Sequence, residues 1–172
     1  MKKFLFYLLA FTGVNAYGQN EFAAASFYNT FKKIQEDGQK GFATYKGAKL
    51  KSQFEDLNDE FKAKLLLPLA DSGKVVVPVS GNPYALYFFE PEKKKEKIDE
   101  RAANLRDAVL TAYGKQLFSR TISTTIKKII YSDTYLYTDV NEVQTRLALF
   151  RINVFPGDNK YYLVLEIRGK NP

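Results

Sequence analysis

Two stretches near the C-terminus alternate apolar and polar residues with a period of two, and little else in the chain limits its fold so sharply. From Arg146 to Phe155, Ala148, Phe150, Ile152 and Val154 fall on one side, with Arg151 and Asn153 on the other. Beyond Pro156-Gly157-Asp158-Asn159, Tyr161, Leu163, Leu165 and Ile167 share a side, with Glu166 and Arg168 opposite. Successive side chains of a strand project to opposite faces, so each stretch reads as a half-buried strand. The turn residues between them make a hairpin. Such a chain builds an antiparallel sheet with one face on a core.

Upstream, Phe27, Phe31 and Ile34, with Ala23 one turn earlier, give a helical apolar face over Asn20–Glu36, closed by Asp37-Gly38. Leu50, Phe54, Leu57 and Phe61 suggest a second, short helix over 49–58. The period then changes to two, and 61–69 and 74–80 read as a hairpin about Asp71-Ser72-Gly73. Pro68 and Pro78 each remove a ladder donor, which places the far ends of that hairpin at an edge or in poor pairing. Tyr84 to Phe89 is aromatic on both faces, as a central strand is. Glu90-Pro91 opens the longest helix, since proline suits a first helical position. Its stripe is Ile98, Ala102, Leu105, Val109 and Ala112, and its end is expected near Leu117, with Gly114 either a cap or tolerated inside. Thr121–Ile130 is rich in β-branched residues and Tyr135–Thr138 is a short strand candidate.

The order is α, a second possible α, βββ, α, then a β-rich remainder ending in the hairpin. Helices interrupt runs of strands rather than alternating with them, so the expected class is α+β: one domain, with a mainly antiparallel sheet of about five to six strands carrying the long helix and the N-terminal helix.

Residues 1–18 read as a secretory signal peptide: Lys2 and Lys3, the apolar run Phe4–Phe11, then small residues. That run is far short of the roughly 20 residues a spanning helix needs. Cleavage after Gly18 places Ala16 and Gly18 at the small-residue positions and leaves Gln19 first; cleavage after Ala16 is the alternative. No cysteine follows, so there is no thiol for a lipoprotein anchor. The Met-Lys-Lys opening and the Ala-x-Gly-Gln junction resemble exported proteins of Bacteroidetes-type Gram-negative bacteria. The expectation is a soluble periplasmic or extracellular protein comprising residues 19–172.

Cysteine is absent altogether, so stability in an oxidising compartment must come from burial rather than disulfides. A domain of about 150 residues buries roughly 68–70% of its unfolded surface, which suffices. With 45% hydrophobic and 15% aromatic residues the chain has the material for a core. Losing Lys2 and Lys3 with the leader lowers the formal net charge from +7 to +5. The basic residues are interleaved with acids, as in Glu92-Lys93-Lys94-Lys95-Glu96-Lys97, rather than forming the one-signed stripe of a nucleic-acid binder.

Histidine is absent too, which rules out Ser-His-Asp and Cys-His catalysis and typical zinc sites. The acids that cluster, Asp56, Asp59 and Glu60, and again Glu90, Glu92, Glu96, Asp99 and Glu100, sit among lysines as a solvated face does. The run from Asp56 begins like a calcium loop but has Phe61 and Leu67 where such a loop needs glycine and glutamate. Ser119 and Ser123 near Lys115, Lys127 and Lys128 have no distinguishing spacing, and no phosphate-cradling glycine loop exists. No cofactor, metal or catalytic residue is expected.

Surface aromatics remain. In an extended segment Tyr131, Asp133, Tyr135 and Tyr137 share a face, and tyrosine is enriched where proteins meet. The alternative is that these rings pack across the sheet under the long helix, with their hydroxyls reaching water. The cluster Tyr84, Tyr87, Phe88 and Phe89 is expected in the core. The expected function is non-enzymatic recognition of a protein partner in the cell envelope, as an inhibitor, immunity or accessory protein, with Tyr131, Asp133, Tyr135, Tyr137 and Arg151 as the binding surface. Binding of an envelope glycan or lipid is the alternative, and a carboxylate-dependent hydrolase a remoter one.

Overall fold

A computed structural model describes residues 20–52, 57–126, 129–139 and 148–171. The leader 1–18, Phe54, Asp56, Lys127 and Lys128 lie outside them. The elements are α1 (Ala25–Gly38), β1 (Lys46–Leu50), β2 (Asn58–Ala63), β3 (Ala70–Pro78), β4 (Tyr84–Glu92), α2 (Lys95–Tyr113), β5 (Phe118–Ile126), β6 (Ile129–Tyr137), β7 (Phe150–Gly157) and β8 (Lys160–Arg168). The class is α+β, as expected, but the sheet has eight strands, in the order β1-β2-β3-β4-β8-β7-β6-β5. Every neighbouring pair is antiparallel. Two four-stranded meanders thus meet where β4 pairs with β8, and α2 carries the chain from one to the other.

Both helices of the described residues lie on one face. Phe27, Phe31 and Ile34 of α1 and Ile98, Leu105 and Val109 of α2 are fully buried against Tyr87, Phe89, Leu165 and Phe150 of the sheet. Burying a large apolar side chain contributes about 1.5–3 kcal/mol, and this layer is the larger of the two core clusters.

Several boundaries differ from the sequence reading. Helix α1 starts at Ala25, not Asn20, because Asn20 is used elsewhere: its Oδ1 accepts the Phe22 N–H at 2.9 Å and its Nδ2 donates to the Asn104 carbonyl of α2 at 2.9 Å. Ala23 is exposed and Phe22 takes the core position beneath the helix. The left-handed residues that turn the chain are Gly41 and Phe42, at φ of 66° and 57°, rather than Gly38. Buried Asp37 holds that turn, its carboxylate accepting the N–H groups of Thr44 and Tyr45 at 3.1 and 2.9 Å.

The expected helix over 49–58 is not formed by its described residues. Lys49 and Leu50 end β1 and Asn58 starts β2. Nor is there a turn at Asp71-Ser72-Gly73, which lies inside β3. The turn is at Pro68-Leu69, where Leu69 has φ of 68° and the Ala70 N–H donates to the Leu67 carbonyl at 3.1 Å. Gly73 serves packing instead: it pairs with Tyr87, and a Cβ there would sit 3.0 Å from the Tyr87 ring. Pro78 ends β3 on an interior strand rather than an edge, and there it is poorly paired: it faces Asn58 of β2, but the ladder to β4 stops at Val76.

Glu90, Pro91 and Glu92 continue β4 past a register irregularity and do not open the helix. A proline is tolerated in a strand at such an irregularity, where no ladder hydrogen bond is lost. Helix α2 begins at Lys95 and ends at Tyr113, capped by left-handed Gly114. Thr121–Ile130 proves to span two strands, and Tyr135–Thr138 is the end of the longer β6.

Candidate functional site

Among the described residues no helix packs on the second face of the sheet; its β6 end is closed over locally, where Ala148 packs on Tyr135 and Tyr137, and its β4–β8–β7 centre is open. Strand registry decides which side chains it presents. Asp133 pairs with Asn153, Tyr135 with Arg151, Arg151 with Glu166, and Glu166 with Leu86, so these residues project together. An apolar strip crosses the centre of this face: Tyr84, Leu86 and Phe88 of β4, Val164 and Tyr162 of β8, and Phe155 of β7. Phe155 and Tyr162 stack at 5.3 Å between ring centroids.

Beside the strip lies a chain of ion pairs. Arg151 Nε donates to Asp133 Oδ1 at 2.8 Å, and the Asn153 amide donates to the same oxygen. Arg151 Nη1 is 3.6 Å from Glu166 Oε2, and Arg168 Nε donates to Glu166 Oε1 at 2.6 Å. The Arg151 guanidinium also lies 5.7 Å from the centroid of the Tyr135 ring, a cation–π geometry. Glu166 is nearly buried, yet both of its oxygens face arginines. Burial works against the charged form of Arg151, but the hydrogen bond and charge of Asp133, with Tyr135 and Glu166, together outweigh it and raise its pKa. Burial, then Glu166 and Glu60, raise the Tyr84 phenol; burial is also the largest cause of the rise at Tyr135.

Two hollows open on this face. One of about 250 Å³ is lined by Tyr84, Leu86, Phe88, Phe155 and Asn153, and one of about 530 Å³ by Ser80, Asn82, Tyr84 and Arg168. Arg151 and Glu166 wall both. Among the described residues no group of three or more acids is placed to hold a metal ion. Asp59 and Glu60 are paired with Lys49 and Lys74, at 2.6 and 2.8 Å.

The five residues singled out in the sequence do share a face, but they are unequal. Asp133, Tyr135 and Arg151 meet in the cluster. Tyr131 is half-buried, two residues along β6 from Asp133, and pairs with Thr124. Tyr135 is 9% and Tyr137 2% exposed; they stack on each other, against Ala148 and Ile122, in a small core of their own. The Tyr137 hydroxyl is buried with no hydrogen-bond partner among the described residues. These two tyrosines pack on the sheet, as the alternative held, but on the face away from the long helix and with the Tyr137 hydroxyl buried rather than reaching water, so truncating them would destabilise the fold.

The aromatic cluster expected in the core divides. Tyr87 and Phe89 are buried under the helices, while Tyr84 and Phe88 are half-buried on the open face. Glu166, Arg168, Tyr84 and Phe88 were therefore missed as site residues. Comparison with protein families, with curated proteins and with solved structures finds no match for this chain.

Proposed function

We propose that this chain is an exported, non-enzymatic binding module of the bacterial cell envelope that recognises a protein partner through the open centre of the helix-free face of its sheet. One observation carries the reading: a strip of partly exposed aromatic and aliphatic side chains flanked by a pre-ordered arginine–carboxylate cluster. Buried apolar centres ringed by polar groups, with tyrosine and arginine as anchors, are how protein interfaces concentrate their binding energy. Asp133 and Glu166 are each engaged by arginine, which suits recognition better than proton transfer. The leader-like residues 1–18 supply the envelope address, and no helix among the described residues is long and apolar enough to cross a membrane. An inhibitor, an immunity protein and an accessory factor of an envelope complex all fit this description.

The 530 Å³ hollow favours a second reading, an envelope glycan, because its size falls in the range of roughly 300–1,000 Å³ typical of small-ligand sites and its walls combine the Tyr84 ring with a few polar groups, Ser80, Asn82, Arg151, Glu166 and Arg168. One experiment separates the two. The full chain, tagged at its C-terminus, is expressed in a Gram-negative host, recovered from periplasm and medium, and its N-terminus sequenced. Captured proteins are then compared with those held by the Tyr84→Ser/Phe88→Ser variant. A stoichiometric partner retained by the native protein and lost from a folded variant supports protein recognition. Retention of glycan without protein favours the second reading, and an unprocessed cytoplasmic product sinks the envelope assignment.

A further inference from the structure

The two edges of the sheet are built differently. Strand β1 has five residues, two of them lysines, and its pairing is interrupted between Lys46 and Lys49. Short length, lysine and irregular pairing are the means by which proteins prevent an edge from pairing with another chain. Strand β5 has none of them. It runs for nine residues, FSRTISTTI, pairs residue for residue with β6, and contains one charge, Arg120. Among the described residues no strand pairs with its outer side. All its residues except Phe118 and Ile122 are exposed, including Ile126 at 53%.

The sequence of β5 also matches itself when reversed. In an antiparallel pair of two copies centred on Ile122, Phe118 faces Ile126, Ser119 faces Thr125, Arg120 faces Thr124, and Thr121 faces Ser123. Apolar residues oppose apolar ones, hydroxyls oppose hydroxyls, and the single charge opposes a threonine rather than its own copy. Such cross-strand pairs are the stabilising unit of a sheet, and like charges directly opposite destabilise it. A two-fold interface requires this self-complementarity.

The geometry points to β5 as a dimerisation edge, which pairs with β5 of a second copy and joins two eight-stranded sheets into one. The helix-free faces of the two copies would then lie on the same side of the joined sheet. The inference is independent of what those faces bind.

The register makes opposite predictions for opposite charges at one exposed position. Thr124→Glu places a carboxylate beside Arg120 of the other copy, twice per dimer, and Thr124→Lys places an ammonium there. Sedimentation of the purified full-length protein, with far-UV circular dichroism to confirm the fold, should show a concentration-dependent dimer. Thr124→Glu should tighten it by about two- to thirtyfold and Thr124→Lys weaken it by a similar factor. The double variant Arg120→Glu/Thr124→Lys, which sets opposite charges across the joint, should reverse the loss and bind at least as tightly as the native protein. A native protein that stays monomeric at every concentration overturns the inference. So does a dimer whose dissociation constant is unmoved by either charge, or moved in the same direction by both.

Discussion

Replacing Arg151 with methionine tests whether the charged cluster is a scaffold or a site. The substitution keeps the apolar stem and removes the guanidinium. A hydrogen bond between charged groups contributes about 1.5–3 kcal/mol, and stripping a buried charge of its only partner costs roughly 3–5 kcal/mol. Neither full value applies here, because each acid keeps a second donor: Asp133 retains the Asn153 amide and Glu166 retains Arg168. The Arg151 side chain is also 34% exposed, so water already screens part of its charge. We expect a loss of about 1–2 kcal/mol. Urea denaturation followed by circular dichroism should show it as a lower midpoint with an unchanged slope. A cycle with Asp133→Ala should give a coupling energy of about 0.5–1.5 kcal/mol, as for residues in direct contact. A loss above about 3 kcal/mol would refute the buffering argument and make the cluster structural. A coupling of zero would refute the ion pair itself.

Two further outcomes follow from buried polar groups outside the site. Asp37→Ala should destabilise the protein by about 2–4 kcal/mol, since the N–H groups of Thr44 and Tyr45 lose their acceptors at a position 5% exposed. Asp37→Asn, which keeps one acceptor oxygen, should cost about half as much. Burial, with smaller contributions from Asp37 and Tyr45, pushes the Tyr87 phenol well above its ordinary value of 10.0. The unfolded chain therefore releases this proton first as pH rises, and stability present below about pH 10 is lost progressively above it. Tyr87→Phe should flatten that alkaline slope, at a cost near 1 kcal/mol for its hydrogen bond to the Leu65 carbonyl; an unchanged slope contradicts the assignment.

The parts of the fold legible in the sequence were those where one face of an element is apolar and the other is not. The terminal hairpin β7–β8, the stripe of α2 and the buried face of α1 all have that contrast. Strands β1 and β2 do not, and the chance spacing of Leu50, Phe54, Leu57 and Phe61 imitated a helix there. Strand β4 betrayed its central position by being aromatic on both faces, but that same property hid its division of labour. Tyr87 and Phe89 serve the core while Tyr84 and Phe88 serve the open face. Glycine and proline misled where their reason was packing rather than turning. Gly73 makes room for the Tyr87 ring, and Pro91 sits where the β4 ladder is already irregular.

The site was less legible because it is made by registry between strands, and composition does not report registry. Yet one part of it was within reach. The left-handed pair Asp158-Asn159, at φ of 48° and 59°, is a two-residue hairpin turn, and it fixes Gly157 opposite Lys160. Counting outward from that pair sets Asn153 against Val164 and Arg151 against Glu166. Arg168 shares the polar side of the same strand, so two arginines and an acid on one face follow from the turn and the alternation alone. Asp133 and Tyr84 do not follow. They arrive from β6 and β4 on either side of the hairpin, through contacts distant in sequence. A turn signal beside clean alternation therefore predicts the centre of such a face, while its rim depends on which strands the rest of the chain brings alongside.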